Sequence, residues 1–455
     1  MTTAQRDPAH SDTAQLLTSV SGAGTEAEEP EVTAAQPVHP YLHVVAVALI
    51  GAVGVLLWLV VFEQVSKLIW ENDVVTQNRW LSLPIALGFS LIVGLLVKLK
   101  HAPTSLDESL LDSLSGDTSK IDWRALPINV ATAWASLFSG AVLGPEGGIG
   151  GIASKIAAWY GDRVRLPEDL RPQLVFSTIA SGYNGLIANP LFAGILGTEV
   201  IKDPALKART LPANLIGGAI GFLVFFAAGS VGLQNFLHLP AQPPIVAMDI
   251  VWVLVMALAG VVLAVIAGAL FRVSMTVFGR FKGREVERAL VAGAIFGVVG
   301  MVAPILLFSG ETQVQEVVAD PGKYGPLMLL AMAVVKLGLL SIAFKSGFLG
   351  GPTFPAIFAS VCVAEAVSAL VPGVRIDVLI AGVMAGFLMV LFRAPFLVVL
   401  LTAVMLQASP EMIALIVLAV AAAMIVSPYL VAAVQARAAA RQAARAKANA
   451  KPAGG

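Results

Sequence analysis

Charge is scarce in this chain of 455 residues: 13% of it is Asp, Glu, Lys or Arg, against 57% hydrophobic residues. A soluble domain carries roughly 25% charged residues. The shortage excludes a water-covered globular surface and reads as an integral membrane protein. What charge there is cancels, 29 basic residues against 29 acidic, so there is no basic excess of the kind a nucleic-acid partner calls for. Cysteine is nearly absent: Cys362 stands alone, which excludes an intrachain disulfide and a thiolate metal cluster. The five histidines, His10, His39, His43, His101 and His238, are scattered and form no HExxH. Neither a metal nor a cofactor is expected. Residues 1–38 are polar and lack an apolar core, so the first spanning segment is expected to do the targeting.

Those first 38 residues include the acidic run Glu26-Ala27-Glu28-Glu29-Pro30-Glu31 and show no apolar periodicity, the composition of a disordered tail. His43–Phe62 is then 20 residues of apolar sequence, enough to cross a bilayer, and Leu83–Val97 with its flanks is a second span. A polar loop is expected between them over Gln64–Arg79. Lys98 and Lys100 follow the second span, and the C-terminal tail carries Arg437, Arg441, Arg445, Lys447 and Lys451 without an acid. Excess Lys and Arg mark the cytoplasmic side. Both termini are therefore expected inside.

Further along, the apolar stretches become short and are interrupted by Gly and Pro, as at Asn189-Pro190 and Ala394-Pro395. Such segments in a membrane protein suggest broken helices around a site near the midplane. The most telling interruption is Gly144-Pro145-Glu146-Gly147-Gly148-Ile149-Gly150-Gly151. An ionised side chain at the centre of a spanning helix costs roughly 2.5–3.5 kcal/mol, so Glu146 is a functional candidate. Pro145 suits a helix start, and a helix N-terminus with small residues around it attracts anions. The glycines also fit the plainer purpose of letting membrane helices pack closely.

Two internal matches suggest related halves. Leu143-Gly144 and Leu349-Gly350 lie 206 positions apart, and Asn189-Pro190-Leu191 and Ala394-Pro395-Phe396 lie 205 apart. The expected organisation is a tail over 1–38, membrane halves over 39–231 and 246–435, a connection over 232–245, and a basic tail over 436–455. The fold class is an all-α polytopic membrane protein of two inverted-repeat halves.

Taken together, these motifs resemble the CLC family of chloride channels and chloride/proton antiporters, across roughly residues 43–440. Gly144–Gly148 resembles the family's GREGP, with Pro145 in place of its arginine and Gly148 in place of its proline. Ala102–Glu108 stands at its GSGIP, and Arg124-Ala125-Leu126-Pro127 matches its RxLP. Asn189–Leu196 resembles NAPLAGIL, and Gly350–Pro355 stands at GGxFxP with the aromatic displaced by one position. Tyr429 in Ser427-Pro428-Tyr429 falls on the family's anion-holding tyrosine.

The resemblance implies that Glu146 gates the ion path and that Ser105, Gly147, Thr353, Phe354 and Tyr429 contact the anion. Pro352 has no backbone N–H to offer. It also implies a homodimer in the cell membrane with one anion path in each subunit. Ser105-Leu106-Asp107-Glu108 is equally a plain capping box. An internal proton-relay acid of the antiporters would fall on Ile201; Glu199, two positions earlier, is the possible substitute, and Glu365 is a further membrane acid without an assignment. The function implied is transport of chloride, or of another anion such as fluoride or nitrate. An intramembrane enzyme pairing Glu146 with Glu199 or Glu365 is the alternative from a different class. No general base stands beside a nucleophile in the sequence to support it.

Overall fold

The structure is a computed structural model that describes residues 39–100, 102, 121–229, 237–239 and 244–449. The N-terminal tail, Ser105 with Asp107 and Glu108, and most of the connection at 232–245 lie outside them. Contacts divide the chain into Met1–Leu42 and His43–Gly455. The site described below lies within the second unit.

The described residues form sixteen α-helices: α1 His39–Trp70, α2 Asp73–Gln77, α3 Ser82–Lys100, α4 Leu126–Phe138, α5 Glu146–Val164, α6 Arg171–Ile187, α7 Phe192–Val200 and α8 Pro204–Ala227, followed by α9 Ala247–Phe278, α10 Glu285–Val302, α11 Gln313–Ala319, α12 Gly325–Lys345, α13 Thr353–Leu370, α14 Ile376–Phe392, α15 Pro395–Leu406 and α16 Pro410–Asn449. Among the described residues seven helical segments are long and apolar enough to cross a membrane. The chain is a multi-pass, all-helical membrane protein.

Where the sequence breaks its apolar runs, the helices break too. The stretch 174–196 divides at Ala188, whose φ is +56°, and at Asn189-Pro190, because proline cannot continue a helix. Asn184 bridges the break: its Nδ2 donates to the Pro190 carbonyl at 2.6 Å and its Oδ1 accepts the Ala193 amide at 2.7 Å. The second half repeats the device, with Arg393 at φ +55° and Pro395 opening α15. The expected polar loop at Gln64–Arg79 is shorter than the sequence suggested. The first helix runs on to Trp70, because Glu63 and Lys67 pair one turn apart at 2.6 Å and the Trp70 indole donates to the Phe138 carbonyl at 3.0 Å.

Small residues set the helix spacing. Added methyls on Gly217 and Gly221 of α8 would strike the backbone of Ser177 and Ser181 on α6, so these helices meet backbone to backbone, as small-residue packing in lipid allows. The basic C-terminal segment extends α16 without a break to Asn449, through the Pro428 that lies inside the helix.

Candidate functional site

Two buried loops meet at the centre of the site. Gly144, just before α5, and Gly351, just before α13, exchange both backbone hydrogen bonds at 2.8 Å. The second loop is also tied to α4, where the Ser136 hydroxyl accepts the Leu349 amide at 2.9 Å. Phe348 is fully buried and packs edge-on against Phe296. The starts of α5 and α13 are thereby fixed against one another.

Glu146 opens α5 and is 6% exposed. Its carboxylate turns back across the bridge and lies at the N-terminus of the other helix, where Oε1 accepts the Thr353 amide at 2.8 Å. The Thr353 hydroxyl and the Phe354 amide add to the donors around it. Glycine is required on both sides of this carboxylate: a Cβ on Gly144 would strike Oε2, and one on Gly351 would strike Cδ. The first turn of α5 is held from behind by the Tyr183 hydroxyl, which donates to the Glu146 carbonyl at 2.8 Å. Oε2 is buried without a hydrogen-bond partner among the described residues.

A carboxylate at a helix N-terminus gains a charge-assisted hydrogen bond and the favourable end of the helix dipole. The same donors would serve a free anion. Glu146 thus takes up, with its own carboxylate, donors of the kind that hold anions.

The sequence candidates fare differently around this centre. Gly147 lies against the Gly350 backbone with no room for a methyl, and a methyl on Gly148 would crowd Ala133 and Trp58. Both glycines therefore fit the close-packing reading of the run. Thr353 and Phe354 join Glu146, and Pro352 precedes them without an N–H. Tyr429 lies on α16 at 76% exposure, and no hydrogen bond of its hydroxyl is present among the described residues. Ser105 lies outside the described residues.

Glu199 has a definite occupation. Its two oxygens accept the amides of Phe396 and Leu397 at 2.9 and 2.8 Å, capping α15. Ile201 is 2% exposed. Glu365 is buried on α13, 12 residues beyond Thr353 and hence about 18 Å along the helix by the 1.5 Å rise per residue. Glu365 is thus too far from Glu146 for a catalytic pair. No three of His, Cys, Asp or Glu among the described residues are placed to hold a metal ion.

Two residues that the sequence did not single out border the centre. Lys336 of α12 is fully buried; its ammonium donates to the carbonyls of Leu306 and Leu307 at 3.2 and 2.8 Å and stands 4.6 Å from the Phe358 ring centroid. The loop it holds touches Gly140 through the Phe308 amide at 3.2 Å and stacks Phe308 edge-on with Trp70. Glu311 ends this loop, within electrostatic reach of Glu146 and Glu63. A lysine in an apolar helix and an acid after Ser309-Gly310 carry no local signal of such partners.

Comparison with known proteins places the fold. The model of the voltage gated chloride channel family matches residues 88–428. A protein of Escherichia coli (strain SMS-3-5 / SECEC), YfeO, whose name ascribes ion transport to it, is 26% identical over 326 residues, 66% of this chain and 74% of its own. Its counterpart in Escherichia fergusonii is 25% identical over 343 residues, 71% of this chain and 78% of its own. Among solved structures, a slow cyanobacterial Cl-/H+ antiporter aligns with a TM-score of 0.70 at 18% identity, over 86% of this chain and 94% of that one. A CLC-type fluoride/proton antiporter aligns at 0.67 and 18%, over 86% and 96%. At these identities the likeness concerns the fold.

Proposed function

Because the chain belongs to the voltage-gated chloride channel family, whose members are channels or transporters, and carries out CLC-type anion transport, we propose that Glu146 is its gate and chloride its anion. The observation that carries this reading is the 2.8 Å hydrogen bond from the Thr353 amide to the Glu146 carboxylate. A carboxylate in that place competes with a dissolved anion for the same donors. Protonation removes its charge and weakens its hold, so flux rises as pH falls. The anion then meets the donors of Thr353 and Phe354 at the start of α13 that Glu146 has left, with Gly147 beside them.

The working unit is a homodimer in the cell membrane with one path in each subunit and both termini in the cytoplasm. Supporting that orientation, the C-terminal end of α3, with Lys98, lies beside the N-terminal end of α10, where Gly94 approaches Val286, and Lys282, Arg284 and Arg288 stand near that end.

The inner half of a proton path has no support in Glu199, since both of its oxygens are used on α15. Proton exchange in this reading runs through Glu146, and coupling is decided by measurement. Proteoliposomes holding wild type or Glu146→Gln are monitored for anion efflux and pH together, in chloride, fluoride and nitrate. Wild-type chloride flux should rise with acidity, and the variant should be open and insensitive to pH. An antiporter would also move protons against a chloride gradient and lose that ability in the variant. A variant that keeps the wild-type pH profile would remove Glu146 from the gate.

A further inference from the structure

A second site lies away from the ion path, where two membrane-spanning segments end. One span runs to Phe281 and another to Lys345, so the space between their ends sits at the depth of lipid headgroups. A cavity of about 240 Å³ opens there. Lys282, Arg288 and Lys345 line it, with Glu285 as the one acid.

These cations are not used up by the protein. Among the described residues none of the three makes an ion pair. Lys345 instead places its ammonium 4.1 Å from the centroid of the Phe271 ring. The Arg288 Nε is buried without a hydrogen-bond partner, and a buried charged donor left in that state is expensive unless a ligand completes it. The neighbouring Arg284 differs, since its Nε donates to Glu287 at 2.9 Å.

The apolar side of the cavity says which anion suits it. Met275 and Phe278 form part of the wall, and Val273, Met275 and Val277 expose their side chains along the end of α9. An ion that is only charged would gain nothing from that surface, whereas a phosphate carried on acyl chains uses both parts. We propose that this cavity binds the phosphate of an anionic phospholipid in the leaflet at this end of the protein, with Arg288 and Lys345 as the principal contacts and Lys282 at the mouth. Basic pockets between membrane helices recognise such headgroups. The proposal is independent of how the ion path is gated.

The test uses full-length protein in detergent, titrated with phosphatidylglycerol, phosphatidylcholine and inorganic phosphate, and read by native mass spectrometry and by thermal shift. Wild type should retain phosphatidylglycerol over phosphatidylcholine, and Arg288→Gln should weaken it by about tenfold or more, as loss of a charge-assisted hydrogen bond implies. The double variant Lys282→Gln with Lys345→Gln gives a second reading should Arg288→Gln fail to fold. Arg284→Gln removes the same charge just outside the cavity and should leave binding unchanged. Equal loss in Arg284→Gln would overturn the site in favour of diffuse surface charge. Unchanged binding in the cavity variants would overturn it outright. Full displacement of the lipid by inorganic phosphate alone would overturn the assignment to lipid.

Discussion

The carboxylate of Glu199 and the amide of Leu397 are joined at 2.8 Å across 198 positions of sequence, and the Phe396 amide takes the other oxygen. An acid from α7 thus closes the start of α15, as Glu146 from α5 closes the start of α13. The two acids differ in freedom, because Glu199 commits both oxygens, whereas Oε2 of Glu146 has no hydrogen-bond partner among the described residues.

Glu199→Ala should therefore behave as the loss of a cap. Unfolding of the detergent-purified protein should come earlier by roughly 1.5–3 kcal/mol, the worth of hydrogen bonds to a charged group, while flux per folded molecule is retained. Unaltered stability together with lost proton movement would make Glu199 a proton carrier instead.

Glycine substitutions separate the gate from the frame. Gly351→Ala puts a methyl where the Glu146 carboxylate rests, and a side chain can turn away. The protein should assemble and conduct at neutral pH much as Glu146→Gln does. Gly147→Ala meets the Gly350 backbone, which cannot turn away, and should fail to assemble, as size-exclusion profiles would reveal. The same outcome in both variants would count against a movable carboxylate.

Lys336 is a tie between α12 and the 306–307 turn. Lys336→Met keeps the volume and the contact with Phe358 but leaves two buried carbonyls without their donor. Thermal unfolding should show a loss of roughly 1.5–3 kcal/mol. A variant as stable as wild type would mean that those carbonyls find other partners.

The sequence disclosed the centre of the site because Gly, Pro and Glu stand out locally in an apolar background. Gly144–Gly151 and Gly350–Pro355 could each be read from a few adjacent residues, and the breaks at Asn189-Pro190 and Ala394-Pro395 from proline chemistry. What remained hidden depends on partners distant in the chain. Glu199 gave no sign of a capping role because the amides it accepts belong to Phe396 and Leu397, and Lys336 gave no sign of the carbonyls 29 and 30 positions before it. The length of α1 was misjudged at Gln64 because the residues that continue the helix are polar on one side only. Tyr429 entered through motif order alone, and motif order does not report exposure.

The exchange between Gly144 and Gly351 bears on how the molecule can move. Each residue offers one N–H and one carbonyl to the other, so pulling these loops apart would strand four backbone groups. In a medium without water each stranded group costs several kcal/mol. Machines that alternate by rocking one bundle over another must open and close a seam of this kind in each cycle. Here the seam is stitched, and under the gate proposed for Glu146 the motion required is that of one side chain within a rigid frame. A gate of that kind would need little change in cross-section or thickness, and its turnover is expected to be insensitive to the stiffness of the surrounding bilayer.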